Sequence, residues 1–184
     1  MRRTLAALMV LGATACAATT TEPEFNDEAP ALLEIEYTNA AWAPTWNGYY
    51  IDSSGALYSW NASERNLSTY PRDEELTHAE LMQKLTARRQ KVRDLSTTEL
   101  QDIAELIPAA ANGNLTTPQS RCADAGQLVF RAYTYDSQRG LFKPVTLRVE
   151  GDVVRKNTSG AAQEIYEYLD ELGVAQHING CQPE

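Results

Sequence analysis

Residues 122–173 constrain the fold more than any other stretch, because they read in one way only: strand, turn, strand, turn, strand, helix. Over 127–135 (QLVFRAYTY) Leu128, Phe130, Ala132 and Thr134 point to one side, and Val129, Arg131, Tyr133 and Tyr135 to the other. Turn formers fill 136–140. Val145, Leu147 and Val149 then alternate with Thr146, Arg148 and Glu150 before Gly151-Asp152 reverses the chain into 153–155. Two consecutive antiparallel hairpins make a meander. Beyond Asn157-Thr158-Ser159, which are residues suited to an N-cap, Ala162, Ile165, Leu169 and Leu172 recur at helical spacing. Gly173 ends that run and Val174 is placed to close a Schellman-type cap. A helix with one apolar stripe must lay it on the sheet.

Upstream, 32–38 alternates Leu33, Ile35 and Tyr37 against Glu34, Glu36 and Thr38, which predicts a first strand with one wet face. Two short aromatic strands, 48–52 and 56–60, flank the tight turn Asp52-Ser53-Ser54-Gly55. The same Asp-x-x-Gly lacks the further carboxylates of a calcium loop. Thr77 with Glu80 forms a capping box, and Leu81, Met82 and Leu85 open an amphipathic helix. Continued to Leu95, that helix would put Arg88 inside the stripe of Leu81, Leu85 and Val92, where an unpaired charge is costly. The helix should therefore end near Ala87, leaving 89–94 as an extended connector or short strand. Ser96 with Glu99 opens another helix, with Leu100, Ile103, Leu106 and Ile107 as its stripe and Pro108 and Asn112-Gly113 as its stop. The pattern is α+β: a mainly antiparallel sheet of five or six strands, in hairpins and a meander, with about three helices packed on one face.

The front of the chain speaks of location. Met1-Arg2-Arg3 is a positive n-region, 5–11 (LAALMVL) a short apolar h-region, and Gly12-Ala13-Thr14-Ala15-Cys16 a small-residue cleavage zone. The apolar run falls far short of the ~20 residues that span a bilayer. These features predict a signal peptide at 1–15, a lipidated Cys16 with a flexible Thr-rich and acidic tether at 16–28, and a globular domain at 29–184. Ala13-Thr14-Ala15-Cys16 resembles the lipobox of bacterial lipoproteins, departing from it where Ala13 stands in place of the usual Leu. Cleavage after Ala15 or Ala17 by the ordinary signal peptidase is the alternative, giving a periplasmic or secreted soluble protein. On the first reading the chain is anchored in the cell envelope, at the outer membrane, and meets the bilayer only through its N-terminal lipid.

Of three cysteines in an exported chain, lipidation of Cys16 leaves Cys122 and Cys181 as one disulfide pair. Closing that loop restricts the unfolded chain by about 4 kcal/mol. Two free buried thiols are the alternative. The net charge of −9 becomes −11 once Arg2 and Arg3 leave with the signal peptide. That sign argues against nucleic acid or an anionic bilayer surface as a partner.

The run 91–106 (KVRDLSTTELQDIAEL), with Cys122-Ala123-Asp124-Ala125-Gly126, Ala132-Tyr133, Gly151-Asp152, Asn157-x-Ser159 and Ala162, resembles a group of uncharacterised exported bacterial proteins, many with lipoprotein signals. The resemblance spans about half the chain, and its motifs are structural. Where those relatives carry Trp-Leu in the last helix, this chain has Tyr168-Leu169. It implies a fold and a location, and no activity.

Catalytic patterns are sparse. His78 and His177 lack the spacing of a metal site, and Ser54-Gly55 and Ser159-Gly160 lack a nucleophile elbow. No phosphate-binding glycine motif occurs, and no cofactor or metal is expected. Asp124 suits an Asx turn or cap before the strand at 127–135. The sequons at Asn61, Asn66, Asn114 and Asn157 suit loop and cap chemistry. The concentrated feature is aromatic: Trp42, Trp46 and Trp60 fall within nineteen residues, together with Tyr49, Tyr50 and Tyr58. Alternation sets these rings on both faces of two short strands, so some are expected to be exposed and to hold a protein or glycan partner. The sequence thus leads to a non-enzymatic envelope lipoprotein that binds an envelope protein or glycan. A hydrolase acting on an envelope or external polymer, or an inhibitor of a secreted enzyme, are the rival readings.

Overall fold

The computed structural model describes residues 31–41, 44–62 and 74–175. Cys16, Trp42, Asn66, His177 and Cys181 lie outside them. In chain order the elements are β1 (Leu33–Asn39), β2 (Thr45–Ile51), β3 (Ala56–Asn61), β4 (Leu76–Thr77), α1 (His78–Leu85), β5 (Gln90–Asp94), α2 (Thr97–Ala111), β6 (Gln119–Ser120), β7 (Gln127–Asp136), β8 (Leu141–Gly151), β9 (Val153–Lys156) and α3 (Gly160–Glu171). The architecture is α+β, with one antiparallel sheet ordered β5-β3-β2-β1-β7-β8-β9-β6, and β4 pairing β8 beside that path. No helix among the described residues is long and apolar enough to cross a membrane.

The expected meander is β7, β8 and β9, with β7 paired to β8 from Gln127 opposite Gly151 to Asp136 opposite Leu141 and a register shift between Phe130 and Arg131. At nine strands the sheet is larger than expected. The additions include β4 and β6, two residues each, too short to leave a period in the sequence. Of the capping boxes expected at Thr77 with Glu80 and Ser96 with Glu99, the first is reciprocal and the second shows its N-cap half. The Thr77 hydroxyl accepts from the Glu80 N–H while the Glu80 carboxylate accepts from the Thr77 N–H, and Ser96 accepts from the Glu99 N–H. Helix α1 ends at Leu85, and Arg88 turns the chain with a left-handed φ of 48°. Helix α2 runs through Pro108 to Ala111, and the Asn112 side-chain amide then donates to the Pro108 carbonyl.

Two cores lie on opposite faces. On one face α2 and α3 cover Leu33, Ile35, Ile51, Leu57, Leu128, Phe130, Ala132, Val145 and Leu147 with Leu100, Ile107, Ile165, Tyr166 and Leu169. The other holds Trp46, Tyr50, Trp60, Leu76, Leu81, Leu85, Tyr133 and Phe142. Helix α1 therefore sits on the face opposite α2 and α3, where the sequence pattern had put every helix on one face. Its apolar stripe covers the side of β1 that reads as wet.

Candidate functional site

One sealed group of polar side chains and two open grooves stand out; one of the grooves, of about 530 Å³, is lined by Arg93, Asp94, Glu99, Asp102, Tyr168 and Glu171. The sealed group begins on β1. Because Leu33 and Ile35 face α2 and α3, Glu34 and Glu36 must face α1, and they are 0 % and 1 % exposed. Helix α1 presents Lys84 between Leu81 and Leu85, and β7 presents Arg131 and Tyr133. Lys84 Nζ lies 2.9 Å from Glu34 Oε1 and 2.6 Å from Glu36 Oε2. Arg131 Nη1 is 3.4 Å from Glu36 Oε1 and 3.7 Å from Glu34 Oε2, and the Tyr133 hydroxyl donates to Glu34 Oε2. Two carboxylates meet two cations, so the cluster is neutral overall. Separate burial of any member would be prohibitive.

Burial alone would raise the Glu36 carboxyl. The Lys84 and Arg131 charges, with a smaller contribution from the neighbouring Trp46 indole, outweigh that and hold its pKa at about 2. Burial, and next the Glu34 charge, push the Tyr133 hydroxyl well above its ordinary value. A carboxyl whose folded pKa is depressed contributes stability that is fully present above the unfolded pKa of 4.5 and lost as the pH falls through about 2. The expected contribution is about 3 kcal/mol. Urea unfolding at pH 7, 4.5 and 2.5 should show that loss, and Glu36→Gln should flatten it. An equal acid slope in both proteins would refute this role for Glu36.

Three of the aromatic residues singled out by the sequence, Trp46, Tyr50 and Trp60, are inside, not outside. They are at most 2 % exposed, and Trp46 and Trp60 meet edge to face with centroids 5.5 Å apart. Tyr58 is half-buried, stacked on Tyr50 at 5.0 Å with the Arg89 guanidinium over its ring. Exposure of Trp46, Tyr50 and Trp60 is thus overturned, because both faces of the sheet are covered; Trp42 lies outside the described residues. The signal that could have placed them is Lys84. The cost of charge in an apolar stripe applies to it as much as to Arg88, and it calls for buried acids opposite.

The other groove, of about 520 Å³, lies at the end of the sheet that α2 and α3 leave uncovered. Cross-strand register builds it from two rows: Tyr37, Asn47 and Asn61 in one, and Tyr49, Ser59 and Gln90 in the other. Both continue the face of Ile35 and Ile51. Gly48 lies between the rows, where a Cβ would collide with the Ile35 carbonyl. Arg88 completes the wall. Tyr37 and Tyr49 are half-buried against the edge of the core. The Tyr37 hydroxyl donates to the Ala125 carbonyl, which fixes its ring. No hydrogen bond among the described residues engages the side-chain amides of Asn47 or Gln90.

The remaining candidates are structural. Asp52 accepts from the Ser54 and Ala56 N–H groups, forming the expected turn with Gly55 at φ 86°. Asp124 adopts φ 62° ahead of β7. The Asn157 amide, buried, donates to the carbonyls of Ala110 and Thr146, tying α2 to β8. His78 sets its ring near Phe142. Cys122 is half-buried in the segment before β7. No group of His, Cys, Asp and Glu among the described residues could hold a metal ion. Comparison with protein-family models, with curated proteins and with solved structures found no match to this chain.

Proposed function

We propose that this chain is an exported lipoprotein of the cell envelope, anchored at the outer membrane through an acylated Cys16, with a non-enzymatic domain that binds a protein or glycan partner. The observation that carries the reading is the contrast between the sealed group and the groove over Tyr37 and Tyr49. A carboxylate that acts as an acid or base must lie within hydrogen-bond reach of its substrate. The paired carboxylates Glu34 and Glu36 are sealed and neutralised by Lys84 and Arg131. What reaches solvent in the groove is amide, hydroxyl and guanidinium. Such groups recognise and hold a ligand by hydrogen bonding.

Location rests on the positive n-region, the short apolar run and the small residues before Cys16. A disulfide between Cys122 and Cys181 would pin the C-terminal tail to the segment before β7. Both parts are tested on the native protein by one measurement, non-reducing peptide mapping with mass analysis of the N-terminal peptide. The expected result is a mature chain that begins at a diacylated Cys16, partitions into detergent, and carries one peptide linking Cys122 with Cys181. A soluble mature protein beginning at any other residue would end the anchoring proposal. Free thiols at both cysteines would end the disulfide.

A further inference from the structure

We propose that the groove over β1, β2, β3 and β5 is the binding site, and that its ligand is an uncharged oligosaccharide. The proposal rests on the reading of the domain as a binding module and names its site and ligand class. Its warrant is the chemistry of the two rows. Each runs from a tyrosine on the inner side to an amide at the outer edge: Tyr37 to Asn61 through Asn47, and Tyr49 to Gln90 through Ser59. A tyrosine ring offers apolar area to the C–H face of a sugar and a hydroxyl at its tip. A primary amide offers two donors and an acceptor in one plane, which matches neighbouring sugar hydroxyls that each donate and accept.

The ligand's length follows from strand spacing. Tyr37 and Gln90 stand three strand steps apart, about 14 Å, which asks for a chain of sugar rings and not a single one. Strand pairing fixes the backbone beneath the rows, so the site is preformed. Its volume lies in the ordinary range for ligand sites. Charge decides between neutral and acidic glycans. Apart from Arg88 on the wall, the lining side chains are uncharged, and a chain of net charge −9 repels a polyanion at a distance. A protein partner is disfavoured because Asn47, Ser59, Asn61 and Gln90 supply much of the lining, where a protein interface centres on apolar and aromatic anchors.

The experiment uses the mature acylated chain in detergent, titrated with the uncharged hexasaccharides of glucose, mannose and N-acetylglucosamine, and followed by calorimetry. At least one should bind saturably. Asn47→Ala combined with Gln90→Ala should weaken it by at least about tenfold, two neutral hydrogen bonds being lost. The melting temperature should stay within a degree or two, since both amides lie outside the two cores. Lys143→Ala, at an exposed position on β8, should change nothing. Saturable binding by none of the three, or binding indifferent to the paired substitution, would overturn the proposal. Binding confined to an acidic oligomer such as hexagalacturonate, and abolished by salt, would overturn it equally. If the sugars fail while cross-linking in the native envelope joins one defined protein to another face of the domain, the groove proposal falls and the binding-module reading stands. If both fail, both fall.

Discussion

Replacing Lys84 by methionine should destabilise the domain by about 3–5 kcal/mol, although methionine keeps the length and apolar stem of the side chain. The loss is electrostatic. In the native protein the Lys84 ammonium touches both Glu34 and Glu36 within 2.9 Å, whereas the Arg131 contacts are longer, at 3.4 and 3.7 Å. Without Lys84 two buried carboxylates share one guanidinium, and the cluster carries an uncompensated negative charge away from water. At a few degrees per kcal/mol for a domain of this size, the melting temperature should fall by about 10 °C or more. The control lies in the same cluster. Glu36→Gln placed on Lys84→Met restores neutrality and should recover much of the loss, giving a coupling of more than about 1 kcal/mol. Thermal and urea unfolding of the four proteins measures it. A loss below about 1 kcal/mol for Lys84→Met, or strictly additive effects, would show that the pair is solvated and the cluster incidental.

That cluster marks where the sequence stops being legible. The meander β7 to β9 and α3 could be read from their residues because each is a local pattern: alternation over 127–135, a Gly-Asp reversal, and a cap followed by a helical stripe. The close of α1 was legible for the same reason, since Arg88 could not join the stripe. Glu34 and Glu36 are different. In a single strand, alternating acids are indistinguishable from a solvated face, and their neutralising partner, Lys84, lies fifty residues away on another element. Only the packing of α1 on the far side of the sheet turns a wet face into a buried one. The same coverage moves Trp46, Tyr50 and Trp60 from surface to core. The groove was illegible for a related reason: its six recognising residues sit on four strands, and no two neighbours in the sequence announce them. What the sequence held was the alternation that puts Asn47 with Tyr49, and Ser59 with Asn61, on common faces. Register between the strands supplied the rest.

Trp46→Ala should be as damaging as the loss of Lys84, and for two reasons that can be separated. The ring is 1 % exposed and packs edge to face on Trp60, so its removal opens a cavity, at a typical cost of about 3–5 kcal/mol. The indole also helps to hold the Glu36 pKa down, so the same substitution removes part of what keeps that buried carboxylate ionised. Trp46→Phe keeps most of the ring and deletes the indole N–H. It should cost less, about 1–3 kcal/mol, and the cost should shrink at pH values near 2, where Glu36 takes up its proton in the folded state. The remainder that survives at low pH measures packing alone. An exposed ring that served as a contact surface would behave in the opposite way: alanine there would leave the melting temperature nearly unchanged. A loss below about 1 kcal/mol for Trp46→Ala would place this ring outside the core and return it to the candidates for a partner-binding surface. A large loss for alanine, with a smaller, pH-dependent loss for phenylalanine, would fix Trp46 as the bridge between the aromatic core and the buried ion cluster. Recognition would then fall to surfaces away from this core, the groove over Tyr37 and Tyr49 among them.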